Sequence, residues 1–259
     1  MVIDMAEQSP FLRVPSEIRL MIYSLLFDDR NERTFEIRNQ NPESYKRRDP
    51  HVRTQYRVLG RDLVRQSNAT TYHLITDVEL HVSIMRVNRK IHEETAHILY
   101  GNRAFGFGRD IEAIVPFFSD MTKQTRPMIH EISLVKQGSV YARDYDRCEW
   151  SSVCDFLKEH MQLGSLKLTV EGGRPSRGWE GLPEYSASDF RTLSNVRYEP
   201  LEWVWELLSI KGIRNLEVDS EIHHCPPSHS SAMAFFAAFS SSIEKGFAEF
   251  LRSELVVGA

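Results

Sequence analysis

Cysteine is scarce. The chain holds three, Cys148, Cys154 and Cys225, in 259 residues. An odd and sparse set argues against a disulfide framework and fits a reducing compartment, so the sequon Asn68-Ala69-Thr70 is expected to stay unglycosylated. No apolar run approaches the about 20 residues that cross a membrane; the longest lies around Met233–Phe239. The opening residues carry Asp4 and no apolar stretch of signal-peptide length. The expected setting is the cytoplasm, the nucleus or both, with no membrane contact. An excess of charge of one sign is missing too. Thirty-two Lys and Arg stand against 36 Asp and Glu, a net of −4, which excludes a protein-wide nucleic-acid footprint.

Catalytic motifs are equally thin. The chain has no G-x-x-x-x-G-K-[ST] and no G-x-S-x-G. Gly106-Phe107-Gly108 lacks the third glycine of a dinucleotide loop, where Ile111 stands, and reads as turn glycine. His92 and His97 are five residues apart, about 140° around a helix, and cannot share a metal from one face. His223-His224-Cys225 with His229 lacks the second ligand pair of a structural zinc site. Asp144 and Asp146 read as solvent-facing loop carboxylates. No catalytic residue, metal ligand or cofactor site is assigned, and a non-enzyme is expected; an α/β enzyme with an unseen site is the alternative.

What is present is an ordinary globular composition, 41% apolar and 26% charged, in a chain long enough for one large domain or two small ones. The first element, Phe11–Phe27, starts at Pro15-Ser16, with Ser16 a candidate N-cap. Ile18, Met21, Ile22, Leu25 and Leu26 form one stripe at helical spacing, and Leu20, Tyr23 and Phe27 lie off it. A helix apolar around most of its circumference needs cover on more than one side. Either it sits centrally in its own domain or a partner covers one face.

Residues 28–80 form a polar stretch. Within it, Arg33–Arg38 and Tyr72–Leu80 read as short strands that pair. Val52, Tyr56, Leu59 and Leu63 suggest an amphipathic helix over residues 52–65. The window 46–65 carries a net charge of +5, and Arg53, Arg57, Arg61 and Arg65 make a candidate anion-facing row along that helix. Ser83–Tyr100 reads as a second helix with Ile84, Val87, Ile91, Thr95 and Ile98 inward; Arg89→Glu93 and Lys90→Glu94 pair on its wet side.

From residue 103 the pattern becomes alternating strands and helices. Ile129-x-x-Ile132-x-Leu134 recurs as Leu163-x-x-Leu166-x-Leu168 and as Ile213-x-x-Leu216-x-Val218, each copy after an amphipathic helix. Such units make a parallel sheet, and the L-x-x-L-x-L strand resembles that of leucine-rich repeats. A doubly wound α/β sheet is the alternative. The Gly/Pro/Ser-rich residues 172–198 read as a loop inserted into one repeat, and Ser228–Val257 as a C-terminal capping helix that the serine run splits, with Ser241-x-x-Glu244 capping the second part.

Val14-Pro15-Ser16-Glu17-Ile18, with Ile22 and Leu25-Leu26, resembles the opening helix of the F-box. The longer string from Phe11 to Tyr23, followed by Met85–Asn102 and Ala104-Phe105, is similar to two blocks of a large fungal family of F-box-like proteins. Here Val14 replaces a leucine, and residues 28–80 intervene before the second helix. Outside the strand–helix repeat domain read over 103–259, the resemblance implies an F-box-like domain over residues 1–102 with a polar insertion at 28–80. It further implies docking on the Skp-type adaptor of a cullin–RING ubiquitin ligase through Val14, Pro15, Ile18, Ile22, Leu25 and Leu26, with the repeats recruiting a target protein. Two further alternatives are an F-box-derived interaction protein that does not bind the adaptor, and an anion or nucleic-acid binder using residues 46–65. An exposed apolar patch on the first helix favours adaptor docking; a fully covered helix favours the derived protein.

Overall fold

A computed structural model describes residues 9–27, 34–39, 55–56, 70–76, 80–137, 144–175, 183–225 and 231–256. The chain is α/β. In order, the strands are β1 (Thr34–Asn39), β2 (Gln55–Tyr56), β3 (Thr70–Leu74), β4 (Ala104–Gly108), β5 (Glu131–Lys136), β6 (Ser165–Pro175) and β7 (Asn215–Cys225). The helices are α1 (Ser16–Phe27), α2 (Arg89–Gly101), α3 (Ile114–Ser119), α4 (Asp144–His160), α5 (Ala187–Asn195), α6 (Glu202–Leu207), α7 (Ser231–Ser242) and α8 (Ala248–Leu255). The described strands form one sheet in the order β2-β3-β1-β4-β5-β6-β7. β1, β4, β5, β6 and β7 are parallel neighbours, and β3 and β2 add antiparallel at the β1 side. The parallel strands join in chain order toward one edge, without the reversal that marks a doubly wound sheet.

The nine repeat positions explain this order. Ile132, Leu166 and Leu216 lie in one register row, and Leu134, Leu168 and Val218 in the next. Every one is buried, as are the lead-in residues Ile129, Leu163 and Ile213. Phe35 and Phe105 extend the first row to β1. These side chains share one core with Phe118 of α3, Trp150 and Leu157 of α4, Val204 and Leu207 of α6 and Phe250 of α8. Period-two alternation sends the neighbours Glu36, Lys167, Glu217 and Asp219 to the opposite, polar face. The boundary expected at residues 102/103 falls between α2 and β4. The sheet runs across it, because β1 pairs with β4.

Several local expectations change. Gln55–Tyr56 is a strand paired with β3, not part of the helix expected over residues 52–65, and the rest of that stretch lies outside the described residues. The loop expected over residues 172–198 instead contains the end of β6, to Pro175, and all of α5. α5 is set by a capping box in which Ser186 accepts from the Asp189 backbone N–H while Asp189 accepts from that of Ser186. The second helix begins later than expected. Val82–Arg86 is a 3-10 turn, and Asn88 accepts from the N–H groups of Lys90 and Ile91 to start α2. Val87 is exposed, not inward. Asp144 opens α4 and does not lie in a loop. The strands expected at 33–38 and 72–80 do pair, antiparallel.

The C-terminal helix splits where the serine run stands, through a π-turn at Ile243–Phe247. The device differs from a Ser241–Glu244 cap. Glu244 accepts from the backbone N–H and hydroxyl of Ser220 on β7, and Arg252 donates to the Leu216 carbonyl. Two side chains thus occupy backbone groups of the outermost strand, which would otherwise invite pairing. Gly246 is required in this turn, since a Cβ there would lie 2.1 Å from the Tyr185 carbonyl oxygen.

The repeat rows generate a stability prediction. Leu166→Ala and Leu216→Ala should each cost about 2–5 kcal/mol, as buried leucine truncations do. Denaturant unfolding checks this, and losses below about 1 kcal/mol at both sites would show that the rows are not core.

Candidate functional site

α1 presents two unlike faces. Arg19, Tyr23 and Phe27, at i, i+4 and i+8, are its buried residues. Arg19 is 4% exposed, an unusual depth for a guanidinium. It forks onto Glu94 of α2, Nε to Oε2 at 3.0 Å and Nη2 to Oε1 at 2.5 Å. Its Nη1 donates to the carbonyls of Leu12 and Val14 in the turn before the helix. The Tyr23 hydroxyl donates to Glu94 Oε2 at 3.0 Å, and its ring packs on Phe11 at 5.9 Å. At the helix end, Arg103 donates to the Phe27 carbonyl and lies over the Phe35 ring. Glu94 is therefore not the partner of Lys90 on a wet face. It is the hub that fastens α1 to α2. Bidentate, charge-assisted bonds of this kind are the strong ones.

Electrostatics follow from that hub. Hydrogen bonding to Arg19 holds the Glu94 carboxyl below the ordinary glutamate range, against the opposing effect of burial. Burial, then the Glu94 contact, pushes the Tyr23 phenol up.

The stripe singled out from spacing lies on the other side. Leu25 is 82% exposed, Met21 63% and Ile18 46%. Ile22 and Leu26 are half-buried on its flank; Pro15 is exposed and Val14 half-buried just before the helix. The structure thus gathers Val14, Pro15, Ile18, Ile22, Leu25 and Leu26 at one face and its approach. It adds Met21, whose place in the stripe is legible in the same spacing. Ser16 is the first helical residue and not a cap, since the Pro15 carbonyl accepts from the Arg19 N–H. Contiguous exposed apolar surface of this kind marks interaction sites, and covering each large side chain is worth about 1.5–3 kcal/mol.

The other candidates fall as follows. Arg53, Arg57, Arg61 and Arg65 lie outside the described residues. His92 Nδ1 meets the Met85 carbonyl at 3.0 Å. His223 sits beside Glu171, Glu221 and Arg109, and no group of three metal-ligating side chains suited to an ion is found among the described residues. Gly106 and Gly108 lie in β4 and not in a turn; Gly108, its last residue, has φ of +51° and packs under the Arg38 guanidinium. Among the described residues no helix is long and apolar enough to cross a membrane. No family model, no curated protein and no solved structure matches the chain.

The clamp predicts a pH signature. A carboxyl depressed by folding contributes stability that is complete above the ordinary glutamate value and lost as pH falls through the depressed one. Glu94→Gln should therefore destabilise the protein by about 1–3 kcal/mol at neutral pH, and its unfolding free energy should fall less between neutral and acidic pH than that of the parent. Urea titrations across that range decide it: parallel curves for the two proteins would mean that Glu94 contributes no such term.

Proposed function

We propose that this chain is a non-enzymatic interaction module, the substrate-receptor subunit of an SCF-type cullin–RING ubiquitin ligase. α1 docks on a Skp-type adaptor through Pro15, Ile18, Met21, Ile22, Leu25 and Leu26, and the leucine-rich-repeat-like units carry the target. The observation that supports this reading is the division of α1 into a clamped face and an open apolar one. A helix whose only task was to fill the core would turn Leu25 and Met21 inward. Here the inward positions are taken by Arg19, Tyr23 and Phe27, and the apolar remainder is left for another chain. The resemblance of residues 14–26 to the F-box opening supports a Skp-type adaptor as that chain. The ligase's other subunits perform the chemistry, and the receptor acts by bringing the target to them. Such a complex would work in the cytoplasm or nucleus.

The two faces of α1 must respond differently to substitution. Pull-down of the full chain from native extract should recover adaptor and cullin, and Ile18→Asp with Leu25→Asp should abolish that recovery while leaving the melting transition nearly unchanged. Phe27→Ala, on the clamped face, should instead cost about 3–5 kcal/mol of stability. If the wild-type chain recovers neither protein, or the aspartate pair unfolds it, the docking reading is lost.

A further inference from the structure

The polar face of the sheet, opposite the helices, carries three ionic groups built to one plan. On β1, Arg38 lies 2.8 Å from Glu36 and 4.0 Å from Asp110. On β6, Lys167 Nζ is 2.9 Å from both Glu217 and Asp219 of β7. At the carboxyl ends of the strands, Arg109 meets Glu221 at 2.6 Å and Glu171 at 3.1 Å, with His223 alongside. In each group one cation divides itself between two carboxylates. Asp219 first, then Glu217, hold the Lys167 ammonium above its ordinary range. Carboxylates thus outnumber cations across these strands, and they remain accessible: the side chains of Glu217, Asp219 and Glu221 are 55%, 44% and 38% exposed.

Between the charged flanks stand Ser133, Val135 and Thr169, half-exposed and short. The backbone beneath them is committed to the ladder on both sides, β5 and β6 each having two parallel neighbours. A ligand on this face is therefore recognised by side chains, and charge decides which. An acidic ligand or a nucleic acid meets an excess of like charge. A lysine or arginine stem lies over the short central residues and delivers its head to a carboxylate that shares its present cation.

We propose that this open sheet face is the target-binding surface, and that its target is an extended Lys/Arg-rich segment of a partner protein. The inference rests on the receptor reading for its setting and supplies the chemistry of the target. The carboxylates on β1 and β7 stand four strand spacings apart, about 19 Å. An extended chain crossing the strands covers that in about six residues, so basic residues at i and i+6 reach both.

Fluorescence anisotropy of labelled decalysine added to the full chain tests the proposal. Saturable binding that weakens with salt is expected. Glu217→Lys with Asp219→Lys should weaken it about tenfold or more. Lys167→Gln should strengthen it, because it frees two carboxylates that the ammonium now occupies; a merely structural role for the group predicts no gain. Glu249→Lys, an exposed acid on α8, should change the affinity by less than about twofold. Absence of saturable binding, an equal loss with Glu249→Lys, or no gain with Lys167→Gln overturns the proposal. Lys167→Gln keeps the test decisive if the double reversal fails to fold. The α1 variant with Ile18→Asp and Leu25→Asp should bind decalysine as the wild type does, so loss of adaptor docking and loss of the basic-segment site are read separately.

Discussion

Among the described residues, β5, β6 and β7 bury one face of the parallel sheet and leave the other partly open, and most of the structure follows from that. Parallel sheets ordinarily carry helices on both faces, and their strands then read as continuous apolar runs. Here β5, β6 and β7 alternate strictly over their paired length up to Leu134, Leu168 and Val218. One set of side chains enters the helix layer, and the other, Ser133, Lys167 and Glu217 among them, does not. With a single covered face, each strand–helix unit can only stack beside the last, which is the monotonic order observed from β1 to β7. Stacking leaves an edge, and the edge is managed by side chains: Glu244 and Arg252, brought over by the π-turn and α8, take up backbone groups of β7. Where the inward row reaches the strand end, Lys136 replaces an aliphatic residue. Its ammonium lies 5.3 Å and 5.6 Å from the ring centres of Trp150 and Trp203, so even a buried charge there is held by the helix layer.

What the sequence made legible was whatever repeats with a short period. Ile129, Leu163 and Ile213 announce their strands because two alternating apolar residues follow each at fixed distance, and the structure aligns those residues in register. The stripe on α1 was legible for the same reason. Its exposure was not, because periodicity groups residues on a face without saying what lies against that face. A Gly/Pro/Ser-rich composition hides α5, although Ser186 and Asp189 spell a capping box and Phe190 supplies a buried anchor three residues into the helix. Because Ile84 and Val87 fit the spacing of α2, periodicity extends the helix six residues too far toward its N-terminus, while Asn88 decides where it starts. The pairing of Glu94 with Arg19 joins residues 75 apart. Local spacing favoured Lys90, four residues away, and no local rule announces a partner from another helix.

That long-range pair settles which way α1 faces. Hydrophobicity alone gives the helix little preference: Ile18, Met21, Ile22, Leu25 and Leu26 would fill a core as well as Tyr23 and Phe27 do. A guanidinium is different, because turned inward without a partner it carries a large desolvation penalty, and with Glu94, Tyr23 and two backbone carbonyls around it that penalty is offset. Rolling the helix to bury Leu25 would pull Arg19 off Glu94 and leave a carboxylate, 19% exposed at its side chain, without its fork. The gain from covering more aliphatic surface has to exceed the cost of breaking that network, and buried networks of this kind cost several kcal/mol to break, about 3–5. A polar pair of modest net stabilising value thus acts as an orientation device. It holds the less apolar side of α1 against the domain and leaves the more apolar side, with Ile18, Met21 and Leu25, exposed.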